Sequence, residues 1–283
     1  MNGCTTPVTC SASPATDDDR ETYEPMNSTT VRNLLVRGML AGLVAGALAW
    51  VVAYLLAEPL VDDAIAFEEA HAAHGHGGEE LVSRALQSTA GLGTGVLVYG
   101  VAFGGIAALA YCFALGRVGR FGPRATALLL AGSGLFAVYV VPFLKYPANP
   151  PAVGDETTLN QRTALFFLMV ALSVLLAVGA VILGKRLAPS LGNWNATLAA
   201  GAFFVLAVGL AYAFLPSFSN EVPEGFSASL LWQYRVATLA IQTTMWTAFG
   251  LVFGLLAERL LVPRATAAVG ASGAESQATP VAH

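Results

Sequence analysis

Charge is what this sequence has least of. Only 11% of its 283 residues are Asp, Glu, Lys or Arg, whereas ordinary soluble domains carry about 25%. The net charge of -4 comes with no basic cluster, which excludes a nucleic-acid surface. Cysteine is scarce too. Cys4 and Cys10 sit in a polar N-terminal stretch and Cys112 in an apolar run, a spacing that fits neither a zinc site nor a disulfide framework. There is no GxxxxGK[ST] phosphate loop, no HExxH helix, no serine nucleophile elbow and no kinase-like set. GLGTG at 91–95 opens an apolar run instead of following a strand, so it is no dinucleotide loop. No acid, base and nucleophile set lies within the apolar runs, and the chain is not expected to be an enzyme.

What the sequence has in abundance is apolar length. Hydrophobic residues make up 55% of it and the mean hydropathy is +0.64. A bilayer core of about 30 Å is crossed by about 20 apolar helical residues. Six runs meet that need, at 34–57, 90–115, 125–144, 163–184, 196–215 and 236–258. The expected fold is all-α: a polytopic bundle of about six transmembrane helices in the cell membrane. Lys and Arg favour cytoplasmic loops. With a cytoplasmic N-terminus, ten fall inside and four outside (Arg84, Lys145, Arg162 and Arg235), and both termini are cytoplasmic.

Three regions are expected. Residues 1–30, with TDDDRETYE, form a disordered acidic tail without a signal-peptide core, and Met26 is a candidate start before a helix cap at Ser28 to Thr30. Residues 31–262 form the membrane domain, and the Ala-, Gly- and Ser-rich 263–283 a disordered cytoplasmic tail. Small residues recur every four positions: Gly38, Gly42 and Gly46; Gly91 and Gly95; Gly100 and Gly104; Gly250 and Gly254. Such spacing lets membrane helices approach closely.

The chemistry concentrates in the first external loop, 58–89. It holds seven acids and one base, and within it EEAHAAHGHGGEE (68–80) carries three of the chain's four histidines. DDAIAFEEAHAAH suits a short helix that the following glycines end. Glu68, His71 and His74 recur at three-residue spacing and share one helix edge, with His76 just beyond on glycine backbone. Imidazole with carboxylate suits borderline divalent ions such as cobalt, nickel, zinc and copper. The site reading is weak capture of such an ion by Glu68, His71, His74 and His76. A solvated polar loop and a pH sensor are the alternatives.

The second external loop, VPFLKYPANPPAVGDETTLNQR, is stiffened by Pro142, Pro147, Pro150 and Pro151 and reads as a rigid cap, a gate or a partner surface. The third ends in Trp232 and Tyr234, which fit an interfacial aromatic belt. Polar residues at or inside the spans are few: Glu58, Asn195, Arg235, Gln242 and Glu258. Glu58 and Gln242 are candidate pathway residues, and helix–helix hydrogen bonding is an equal reading for Gln242.

The strings RGMLAGLVAGALAWVVAYLLAEPLVDDAIAFEE, GRVGRFGPRATALLLA, VPFLKYPANPPAVGD and NEVPEGFSASLLWQYRVA resemble the CbtA family of predicted cobalt transporter subunits. The resemblance runs from about residue 32 to 260, and LKYPANPPAVGD is its most specific element. It implies cobalt (Co2+, with Ni2+ or another divalent ion as the other choice) as transported cargo and no permanently bound cofactor. It also implies cobalt uptake serving cobalamin biosynthesis, and a small single-span CbtB-like partner subunit. The usual family description has about five spans. The other functional reading is a non-transporting membrane subunit for metal sensing or assembly.

Overall fold

The computed structural model describes residues 27–71, 83–119, 121–154, 156–217 and 222–262. The expected tails, the Met26 start, His74 and His76 fall outside them. Among the described residues the chain is helical, with no strand.

Helix α1 (Ser28–Leu56) runs on without a break into α2 (Glu58–His71). Then come α3 (Arg84–Ala114), α4 (Pro123–Lys145), α5 (Leu159–Phe214) and α6 (Ala228–Leu261). The 56 residues of α5 are too many for one crossing. As a single rod they would extend about 84 Å. The helix breaks at Gly192, whose φ of 75° and ψ of 161° are left-handed and open only to glycine without strain. Pro189 precedes the break and withholds one backbone donor. Limbs 159–191 and 193–214 fold back on each other. A Cβ built on Gly184 would meet that of Ala200 at 3.3 Å, and one on Gly179 would meet the Phe203 ring at 3.8 Å. The six apolar runs are therefore six membrane-length segments on five continuous helices, and the chain is a multi-pass membrane protein.

The even number of crossings brings both described chain ends to one end of the bundle. There the Arg37 guanidinium donates to the Leu256 carbonyl. The opposite end carries α2 and the loop 146–154.

Glycine decides the tightest seam. On α1 a Cβ at Gly42 would lie 2.1 Å from the Gly100 carbonyl oxygen, and one at Gly104 of α3 would lie 2.2 Å from that of Gly38. The two backbones touch, so dispersion and close dipoles hold α1 to α3 where lipid offers no hydrophobic drive. A Cβ built on Gly250 of α6 would lie 2.8 Å from the Ala131 side chain of α4, so these helices also pack closely. Gly91 and Gly95 depart from this expectation. A side chain at Gly95 would meet nothing within 4 Å, and one at Gly91 would meet only its own helix. Both are exposed on a different face of α3 from Gly93, which is buried against Trp50 of α1.

An aromatic core fills the half nearer the chain ends. Phe249 and Phe253 stack at 5.1 Å, Tyr111 meets Phe253 edge-on at 5.0 Å, and Phe103 meets Trp246 at 4.6 Å. Tyr111, Phe249 and Phe253 are fully buried, and the Tyr111 hydroxyl donates to the Pro123 carbonyl at 3.0 Å.

The other half is built differently. Three π-helical segments interrupt α1, α3 and α4, at Ala53–Ala57, Gln87–Gly91 and Leu135–Val140. In α1 the Glu58 N–H bonds back five residues to Ala53, and in α4 the Val141 N–H bonds back five to Phe136. The next residue in each case is a proline, Pro59 or Pro142. It has no N–H to continue that register, so one carbonyl is orphaned. In α4 the orphan is Ala137 O, and the fully buried Ser173 hydroxyl of α5 donates to it.

Candidate functional site

The end of the bundle with α2 is held open by a frame of polar contacts. Arg84, at the start of α3, donates to Glu58 and, at 2.9 Å, to Asp62. This fork ties α2 to α3. Glu58 thus has an ion-pair partner, and Tyr234 of α6 lies within its electrostatic reach. Tyr234 is half-buried against the bundle, while Trp232 is 69% exposed. Gln242 is half-buried on α6 and has no hydrogen-bond partner among the described residues.

The proline-rich loop is clamped from both sides. Arg235 of α6 donates to the Ala148 carbonyl at 3.3 Å and to Asn149 Oδ1 at 3.0 Å. Lys145 donates to the Tyr212 carbonyl and to Ser217, and the Tyr146 hydroxyl to the Pro216 carbonyl at 2.8 Å. Burial pushes the Tyr146 phenol up from its ordinary value, which keeps that donor protonated. Val153 packs with Ala64 of α2 and Phe226, closing the cap.

Between α2, this loop, α4 and the start of α5 lies a cleft of about 1020 Å³. Glu68 and His71 both line it. They stand three residues apart on α2. The His71 ring stacks on Phe67 at 4.0 Å, and Phe67 meets Phe226 edge-on at 5.1 Å. Nδ1 of His71 lies 2.8 Å from the Phe67 carbonyl. Only a protonated Nδ1 can bond there, so the neutral ring carries its lone pair on Nε2, the form in which a histidine ligates metal. Among the described residues no three His, Cys, Asp or Glu side chains converge into a metal cluster.

Three more groups line the cleft that sequence reading did not assign to it: Tyr139, Asn149 and Arg162. Tyr139 lies in the π segment of α4 and hydrogen-bonds Thr238 of α6. Arg162 lies against Gly154, where φ is 107° and an added Cβ would fall 2.2 Å from Nη1. The signal for these residues was the stiff loop PANPPAVG. Its Gly154 makes the room for the guanidinium, but only the fold shows which arginine comes to fill it.

No curated protein and no solved structure matches the chain. The family described as "Probable cobalt transporter subunit (CbtA)" matches residues 31–258, nearly the whole membrane bundle with its cleft. The chain belongs to the CbtA family of cobalt transporter subunits.

Proposed function

We propose that the chain captures Co2+ from outside the cell in the cleft and passes it inward between its helices, acting as a conduit and not as an enzyme. The observation that carries this reading is the fixed His71 imidazole, with Nε2 left for a ligand, beside Glu68 in a cleft that opens at one end of a membrane bundle. Imidazole and carboxylate together suit a borderline divalent ion, Co2+ first and Ni2+ as the other choice. The excess of Lys and Arg near the chain ends supports a cytoplasmic location for both termini, which turns the cleft outward. His74 and His76 follow closely in sequence, outside the described residues, and are the further imidazoles of the capture reading. A small single-span CbtB-like subunit is the partner that the resemblance implies. The membrane potential can drive the step: a divalent ion gains about 4.6 kcal/mol on entering down an inside-negative potential of about 100 mV.

The test is accumulation of radiolabelled cobalt at trace concentration in cells without their own cobalt importers. The cells express the full chain with and without the small partner, beside a His71→Ala, His74→Ala, His76→Ala triple variant and a Glu68→Ala variant. Uptake that rises with the wild type and falls at least about tenfold in the variants, as loss of a ligand implies, supports capture in the cleft. Equal uptake in all refutes capture while leaving transport. No rise with or without the partner refutes transport by this chain and favours a sensing or assembly subunit.

A further inference from the structure

The cleft fits a bare divalent cation poorly in two respects. The first is ligand number. A borderline divalent ion takes four to six donors, yet among the described residues the cleft presents one carboxylate and one imidazole, and nowhere do three such groups converge. The second is charge. Arg162 lines the same cleft on α5, and among the described residues it has no hydrogen-bond or ion-pair partner. A guanidinium repels a dication and attracts a carboxylate, which its planar fork can hold with two parallel bonds.

Size points the same way. Six waters around an ion occupy about 180 Å³ at liquid density. The cleft's roughly 1020 Å³ is several times that and matches small-molecule pockets. Its walls are stiff, since Pro147, Pro150 and Pro151 fix the loop and Arg235 pins it through Asn149. The guanidinium occupies the space that a side chain at Gly154 would need.

We propose that the cleft takes the divalent metal as its complex with a small polycarboxylate, with Glu68 and His71 at the metal and Arg162 on a free carboxylate of the chelator. The inference rests on the capture reading above and specifies its substrate. The chelator supplies donors beyond the two that the described cleft residues offer, and its free carboxylate suits the Arg162 guanidinium.

Binding to the full-length chain in lipid nanodiscs tests it, by equilibrium dialysis of radiolabelled cobalt. The probes are Co2+ in a non-coordinating buffer, Co2+ with stoichiometric citrate, and labelled citrate without metal. The wild type should bind the citrate complex about tenfold more tightly than the bare ion, the ratio one charge-assisted hydrogen bond supplies. Arg162→Gln should erase that preference, weakening the citrate complex while bare-ion binding becomes no weaker than in the wild type, Arg162→Lys should restore part of it, and His71→Ala should weaken both metal forms. Size-exclusion profiles confirm that each variant is folded. Bare ion binding as tightly as the complex in the wild type, with loss in His71→Ala, overturns the chelate inference and leaves capture standing. So does a citrate preference that survives in Arg162→Gln. Metal-free citrate binding as tightly as the complex makes this an anion site and overturns it as well. No binding of either metal form overturns the inference together with the capture reading.

Discussion

The two halves of this bundle solve opposite problems with the same material. Near the chain ends, glycines bring α1 and α3 into backbone contact and aromatic rings from α3 and α6 leave no room between helices. At the other end, π segments interrupt α1, α3 and α4, Gly95 of α3 faces open space, and a cleft forms. A π turn inserts one residue and disturbs the regular ladder, and such turns concentrate at functional sites. All three lie at one end, so opening is a property of that end and not scattered irregularity. The difference teaches that closure here is made by removing side chains and opening by disturbing backbone.

The seam is the place to break this contrast most sharply. Gly104→Val adds a branched side chain where the Gly38 carbonyl oxygen stands 2.2 Å from the first added carbon. The obstacle is backbone, which cannot swing aside, so the helices must separate. The expected cost is about 3 kcal/mol or more, seen as lost folded protein in size exclusion and a large drop in thermal unfolding temperature in detergent. Gly201→Ala on α5 is the control. Nothing lies within 4 Å of its added carbon, and helix propensity favours the change by up to about 1 kcal/mol. Equal behaviour of the two variants would mean that the seam is not in backbone contact.

A smaller effect probes the π segment of α4. Ser173→Ala removes the donor to Ala137 O and leaves that buried carbonyl unpaired, which costs about 1–3 kcal/mol. The serine has one proton, and the Val170 carbonyl at 2.9 Å in its own helix is its other acceptor. Adding Pro142→Ala returns an N–H where the register needs one. The double variant should recover part of the lost stability, and a thermal double-mutant cycle reads the coupling. Purely additive losses would refute the account of the orphaned carbonyl.

How much of this was legible beforehand differs between the halves for the same physical reason. Apolar length declares a membrane span without tertiary information, so the runs from 34–57 to 236–258 all appear as crossings, and the break at Gly192 separates the fourth from the fifth. Glycine spacing marked Gly38, Gly42, Gly46, Gly100 and Gly104 correctly because helix geometry alone puts them on one face. It failed for Gly91 and Gly95, where spacing is the same but the face is exposed, while Gly93 between them is the one that packs on α1, against Trp50. In the cleft, Glu68 and His71 were visible as neighbours on one helix. Arg162, Asn149 and Tyr139 come from three other segments of the chain, and no local pattern links them to His71. Arg162 could be read from sequence only as a topology charge.

The smallest effect decides what Glu58 is for. The sequence marks it as a pathway candidate, while the fold gives it Arg84 as an ion-pair partner, with Asp62 on the same guanidinium. The side chains of Arg84 and Asp62 are 32% and 59% exposed, and that of Glu58 only 14%. Solvent therefore screens much of the fork, and Arg84→Ala should cost about 1 kcal/mol, the upper range for surface pairs. The loss should shrink in high salt, because exposed charges are screened within about 3 Å at 1 M. Thermal unfolding at low and high salt measures this, and cobalt uptake by the same variant supplies the second axis. A frame residue lowers stability in Arg84→Ala and in Glu58→Gln alike, with uptake per folded molecule unchanged. A pathway residue lowers uptake in Glu58→Gln beyond any loss in Arg84→Ala, since only the first removes the carboxylate an ion would touch. The first outcome makes the acidic start of α2 part of the frame that ties α2 to α3. The second extends the route from the cleft into the bundle along α1.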